Sequence, residues 1–170
     1  MIDIRAEQRT DITGIDDIIQ RAFGSSDEVN LVRLLRDAGK SVVSLVAVED
    51  GRVVGHVMFS EVAIDPPHDG FKGVGLAPLA VLPELGARWV GSRLVRDGLE
   101  LCRLAGYNVA VVLGSERYYP RFGFSRASDF GLGNEYHEVE YFFAMELADG
   151  ALIELNGTVK YQPEFSETNC

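Results

Sequence analysis

At 170 residues, with 46% hydrophobic and 25% charged content, the chain has material for one proper core and too little for two ordinary domains, so a single domain over residues 1–170 is expected. A formal net charge of −10 with no run of Lys and Arg argues against nucleic-acid and anionic-membrane partners, because phosphate backbones and acidic headgroups repel such a surface. The same charge would suit a cationic amine substrate, although solubility alone is the commoner reason for it.

Two cysteines, Cys102 inside a helical pattern and Cys170 at the extreme terminus, suggest no disulfide framework and a reducing compartment. The polar start MIDIRAEQRTD has no signal-peptide core, and no stretch approaches the ~20 apolar residues of a membrane span. A cytoplasmic protein is expected.

In chain order, Ile2 and Ile4 alternate with Asp3 and Arg5, the period of a half-buried strand. Thr10 or Asp11 then caps a helix with an apolar face of Ile12, Ile15, Ile18, Ile19, Ala22 and Phe23, stopped by Gly24. A second helix starts at SSDE, where Ser25 and Glu28 stand at capping-box spacing, and shows Leu31, Val32, Leu34, Leu35 and Ala38 before Gly39. Residues Ser41 to Val48 and Arg52 to Ile64 are β-rich runs around Asp50-Gly51, a tight-hairpin signal. A loop at Asp65 to Gly70 precedes a fourth strand, Gly73 to Leu82.

From about Val90 to Leu104 a helix shows Leu94, Val95, Leu99, Cys102 and Ala105 at helical spacing. Cys102 reads as a small buried hydrophobe on that stripe. Gly98 in mid-helix costs about 1 kcal/mol against alanine and suggests close packing on a sheet. Val109 to Leu113 is wholly apolar, as expected of a central strand, and a parallel strand–helix–strand unit follows. Beyond Phe124, Ser125 to His137 reads as loop, Tyr141 to Leu147 as a strand, and Val159 to Phe165 as a last edge strand, which would permit a homodimer.

The stretch from Leu79 to Phe124 carries the chemistry. A strand that hands its last backbone groups to a turn opening a helix can hold an anion such as a pyrophosphate, through free helical N–H groups and the positive end of the helix dipole. The strand ending in Leu82-Pro83, Gly91 followed by Ser92-Arg93-Leu94, Gly106-Tyr107 before a strand, and Tyr119 four residues ahead of Gly123-Phe124 resemble the GNAT acyl-CoA N-acetyltransferases, and within them a small bacterial branch of predicted acetyltransferases. The resemblance covers nearly the whole chain.

It implies an α/β (α+β) fold: a mixed, mostly antiparallel central sheet with helices on both faces and the parallel unit at its centre. It also implies transfer of an acetyl group from acetyl-CoA, as co-substrate, to an amine of a small molecule or protein. In the family the turn reads Gln/Arg-x-x-Gly-x-Gly/Ala; here it is Gly86-Ala87-Arg88-Trp89-Val90-Gly91, so Gly86 replaces the usual Gln or Arg and Trp89 the first glycine.

The residues implied to bind the coenzyme are Leu79, Ala80 and Val81, through strand backbone, and Gly86, Ala87, Arg88, Trp89, Val90, Gly91 and Ser92. Trp89 could close the groove, turn outward with Arg88 standing in for the missing Gln or Arg, stack on adenine, or serve in the core or an interface. Tyr119 is implied as the acid that protonates the departing thiolate, its alternative role being membership of an aromatic packet with Tyr118, Phe122 and Phe124. Candidate bases are Glu61, His56, His137 and Glu138; Asp27, Glu28 and Asn30 lie where an acceptor cleft is implied, although a solvated, capping first turn is the commoner reason for such residues. No metal site is expected, since His56, His68 and His137 lack ligand spacing. Two alternatives to the acetyltransferase stand beside it: a binding or regulatory module that has lost coenzyme A, and a groove for another nucleotide or acyl donor.

Overall fold

The computed structural model describes residues 1–85 and 89–170; the turn positions Gly86, Ala87 and Arg88 lie outside the described residues. Two compact units are formed, one from Met1–Ser60, Ala77–Gly98 and Pro163–Cys170, the other from Glu61–Leu76 and Leu99–Gln162. The first unit contains β1 (Ile2–Ala6), α1 (Ile12–Phe23), α2 (Asp27–Asp37), β2 (Ser41–Glu49) and α4 (Pro163–Glu167). The second contains β5 (Val109–Leu113), β6 (Ser125–Arg126), β7 (Leu132–Asn134), β8 (Phe142–Glu146) and β9 (Gly157–Lys160). Three elements run from one unit into the other: β3 (Arg52–Asp65), β4 (Gly73–Val81) and α3 (Trp89–Leu104).

In the first unit the strand order is β1-β2-β3-β4, with β1, β2 and β3 antiparallel. The β2–β3 hairpin closes at Asp50-Gly51, both at positive φ (49° and 76°), the type I′ geometry that the Asp-Gly pair favours. In the second unit the order is β4-β5-β8-β6; β4 and β5 are parallel, and β8 is antiparallel to both of its neighbours. β9 lies antiparallel to β3 and parallel to β7. The mostly antiparallel sheet with its parallel β4–β5 pair is the expected mixed architecture.

The two faces of β3 are covered by different helices. Gly55 abuts Val90 and Leu94 of α3, and Phe59 lies under Gly98, while Val53 on the other face packs on Gly14 of α1. Val109, Ala110, Val111 and Val112 of β5 are at most 1% exposed, which accounts for the unbroken apolar run. Cys102 is fully buried on α3, and burial pushes its thiol up to about 12, so it serves as a packing residue.

Four expectations change. Residues Val159 to Phe165 are not one edge strand: β9 ends at Lys160 and is flanked on both sides, and Pro163 opens α4. The Ser125 to His137 stretch contains β6, a 3-10 turn at Ala127–Phe130 and β7. Ser26, not Ser25, is the N-cap of α2, and the Ser25 hydroxyl instead accepts from the Asp27 N–H at 3.1 Å. Ala105, the last residue of the α3 stripe, is exposed just past the helix end.

A Cβ added at Gly98 would collide with the Phe59 ring, which is fully buried and cannot retreat. Gly98→Ala is expected to cost about 1–3 kcal/mol of stability by overpacking, despite the better helix propensity of alanine, and urea denaturation measures it.

Candidate active site

β4 pairs with β5 at Gly73↔Val109, Val74↔Ala110 and Gly75↔Val111, yet β4 continues to Val81. Within the first unit the far end of β4 stays tied to β3, where the Leu82 N–H donates to the Val54 carbonyl at 2.9 Å. Leu79 and Val81 are half-buried and Ala80 is 2% exposed, so successive side chains alternate between core and surface. Strand backbone without a strand partner is a ready template for an extended ligand carrying amides.

A 3-10 turn at Pro83–Leu85 follows, pinned to α1 by an ion pair between Arg21 and Glu84. Trp89 is the first residue of α3, and its side chain is 47% exposed. The Arg93 guanidinium lies over the indole, 5.8 Å from its centroid, so the ring runs along the outside of the helix. Val90, Gly91 and Ser92 are buried, with Ser92 9% exposed. The main-chain N–H groups of this first turn have no partner within the helix, which makes it electropositive. Gly86, Ala87 and Arg88, also implied to bind the coenzyme, lie outside the described residues.

Tyr119 belongs to the second unit, in a 3-10 turn Tyr119–Phe122 after β5. Its ring is edge-on to Tyr118 (5.1 Å between centroids) and to Phe124 (5.9 Å), and it fills the space beside Gly114. Both readings of Tyr119 therefore start from one geometry: it sits in the aromatic packet and is 9% exposed. Burial, reinforced by Tyr118, raises its pKa, so the phenol stays protonated across neutral pH and is available as a donor.

The candidate bases are differently placed. His56 is wholly buried, with Nε2 2.9 Å from Ser44 Oγ and 3.5 Å from Glu7 Oε1. The Ser44 hydroxyl donates to Glu7, which also accepts from Arg36 Nε at 2.6 Å, so the imidazole is a neutral donor through Nε2. It is locked into the packing of the first unit. Glu61 is exposed and accepts from the Tyr107 hydroxyl at 2.9 Å. His137 and Glu138 lie on a loop organised by Asn134, which is 3% exposed. Asn134 Oδ1 accepts from the Tyr136 and Glu138 N–H groups, and Asn134 Nδ2 donates to the Glu138 carbonyl at 2.7 Å. Sequence periodicity could not find the Asn134 hub or the Arg21–Glu84 tie, because each joins residues by side-chain bonds outside any repeat.

The family model for the acetyltransferase (GNAT) domain matches residues 3–127. The N-acetyltransferase YhbS of Escherichia coli strain K12 is 38% identical over 165 residues, spanning 96% of this chain and 98% of that one. The crystal structure of E. coli YhbS in complex with CoA superposes with a TM-score of 0.91 at 36% identity, over 97% of this chain and 92% of that one. A GNAT family acetyltransferase from Brucella melitensis, in complex with acetyl-CoA, gives 0.80 at 33% identity, over 97% and 98% of the two chains. The chain belongs to the GNAT acetyltransferase family and is an N-acetyltransferase. The alternative of a module that has lost the coenzyme is not favoured, since relatives this similar carry CoA or acetyl-CoA.

The His56 cluster gives a pH signature. Burial works to raise the Glu7 pKa, but hydrogen bonds from His56, Arg36 and Ser44 outweigh it and bring the carboxyl from 4.5 down to about 2. Burial lowers the His56 pKa below 6.5, partly opposed by Glu7. Both folded-state values are depressed, so unfolding takes up protons on acidification. The stability from His56 is complete above pH 6.5 and falls below it, and that from Glu7 is complete above 4.5 and is lost as pH falls to about 2. Glu7→Gln is expected to cost about 2 kcal/mol at pH 7 and to flatten the acid limb below pH 4.5, read as the urea midpoint against pH.

Proposed function

We propose that this chain, acting as one domain over residues 1–170, transfers the acetyl group of acetyl-CoA to an amine of a small molecule or protein in the bacterial cytoplasm. The observation that carries the reading is the early end of the β4–β5 ladder, with α3 opening beyond β4. The pantetheine arm of coenzyme A carries amides spaced along an extended chain, and the backbone of Leu79, Ala80 and Val81 offers it a strand to pair with. The pyrophosphate takes the amides of Gly86 to Ser92, with the Arg88 guanidinium replacing the family's Gln or Arg. Trp89 contributes main chain there while its ring lies outward on Arg93. The CoA of the E. coli relative and the acetyl-CoA of the Brucella relative support this donor.

In the transfer, the neutral amine attacks the thioester carbonyl, whose developing oxyanion is met by a backbone N–H of β4. As the tetrahedral adduct collapses, Tyr119 gives its proton to the departing sulfur, and the attacking nitrogen loses a proton to solvent or a relayed base. The net charge of −10 favours a cationic acceptor over an anionic one, and it disfavours nucleic-acid and anionic-membrane partners. Among the described residues no helix is long and apolar enough to cross a membrane. A homodimer formed by strand addition would use β1, the longer of the two strands that end the sheet order β1 to β6 among the described residues, and not β9, which is flanked on both sides.

Isothermal titration with acetyl-CoA tests the donor, with micromolar or tighter binding expected. Arg88→Ala is expected to weaken it about tenfold, and Trp89→Ala less than about threefold. Failure of the wild-type protein to bind would sink the reading. Once an amine acceptor is in hand, Tyr119→Phe is expected to lower kcat about 10–100-fold with little change in acetyl-CoA affinity.

A further inference from the structure

Tyr161 follows β9 in the second unit and is 8% exposed. Its main-chain N–H donates to Glu135 Oε2 at 2.6 Å, and its ring centroid is 5.8 Å from that of Tyr136. The ring lies against β4 at one residue: a Cβ on Gly75 would stand 2.7 Å from Tyr161 Cε1 and 3.1 Å from Val62 Cγ1. Gly75 faces Val111 in the last β4–β5 pair. A large, rigid side chain therefore touches bare backbone at the fork where the parallel strands part. Burial holds the phenol protonated, reinforced by Tyr136, Glu135 and Tyr119, so packing rather than proton transfer is its contribution.

We propose that Tyr161 is a positioning residue for acetyl transfer, its ring wedged against Gly75 to fix where β4 leaves β5. Parallel strands at 4.7–4.9 Å spacing stay paired unless something turns one of them, and an aromatic ring that replaces a Cβ fixes the backbone to within a few tenths of an ångström. The β4 residues that continue from Gly75 are those read by the pantetheine arm, so the wedge acts on the arm of the donor and not on its nucleotide. The inference rests on acetyl-CoA being the donor.

Two ligands separate the effects: acetyl-CoA, and adenosine 3′,5′-bisphosphate, which has the nucleotide without the arm. Tyr161→Leu is expected to weaken acetyl-CoA at least about tenfold and to leave the bisphosphate within about twofold, whereas Tyr161→Phe, which keeps the ring, leaves both as in the wild type. Gly75→Ala, pressing on the same ring from the other side, is expected to reproduce the Tyr161→Leu pattern and decides the matter should Tyr161→Leu not fold. Equal weakening of both ligands would mean general loss of structure and overturn the proposal. So would unchanged acetyl-CoA binding in Tyr161→Leu or Gly75→Ala, or a Tyr161→Phe variant as weak as Tyr161→Leu. A wild-type protein that does not bind acetyl-CoA would instead remove the donor reading beneath it.

Discussion

Every backbone N–H and C=O group that leaves water needs a partner, and on the β5 side of β4 the parallel pairs end at Gly75↔Val111. β4 and β5 pair over three positions, and β4 then runs on to Val81. Much else serves to hold that state. β5 is packed to at most 1% exposure at Val109 to Val112, and within the first unit the end of β4 is held to β3 through Leu82 and Val54. In the proposed reading, the pantetheine arm of the donor pairs with the β4 backbone beyond that ladder.

The first unit supplies the rigidity behind this. Phe59 packed under Gly98 brings α3 close onto β3, and Gly55 lets Val90 and Leu94 descend to the strand. On the opposite face, Glu7, Arg36, Ser44 and His56 join the segment after β1, α2, β2 and β3 through charge-assisted hydrogen bonds shielded from water. α4 adds to α2's side through Lys40 and Glu164, whose ammonium and carboxylate meet at 2.9 Å. The helix whose first turn is proposed to hold an anion is braced from the sheet beneath it.

Much of this is legible in the sequence. The periodicities of residues 12–23, 27–37 and 89–104, the Asp50-Gly51 turn and the apolar run of β5 each report a local rule, and each element forms within a residue or two of its reading. The tail is not legible locally because β9 and α4 are set by distant partners: Ala63 to Asp65 pair with β9, and Lys40 holds Glu164. His56 looked like a candidate base on its strand, but its partners Glu7 and Ser44 come from elsewhere in the chain, and only their convergence makes it a buried structural donor. Tyr119 is placed by its spacing from Gly123-Phe124, whereas Tyr161 gives no signal, since its proposed role comes from meeting Gly75, which stands 86 positions earlier in the chain.

The loop between β7 and β8 is held by Asn134 through main-chain groups, beside the Glu135 carboxylate and the Tyr136 ring, which both meet Tyr161. Its conformation therefore depends little on which side chains Val139, Glu140 and Tyr141 happen to be, and Val139 and Tyr141 stand 58% and 48% exposed. Exposed side chains of this kind contribute little to a core. Such a segment is a place where selection can try new chemistry one residue at a time, a natural site of evolutionary drift on a scaffold that does not itself have to change.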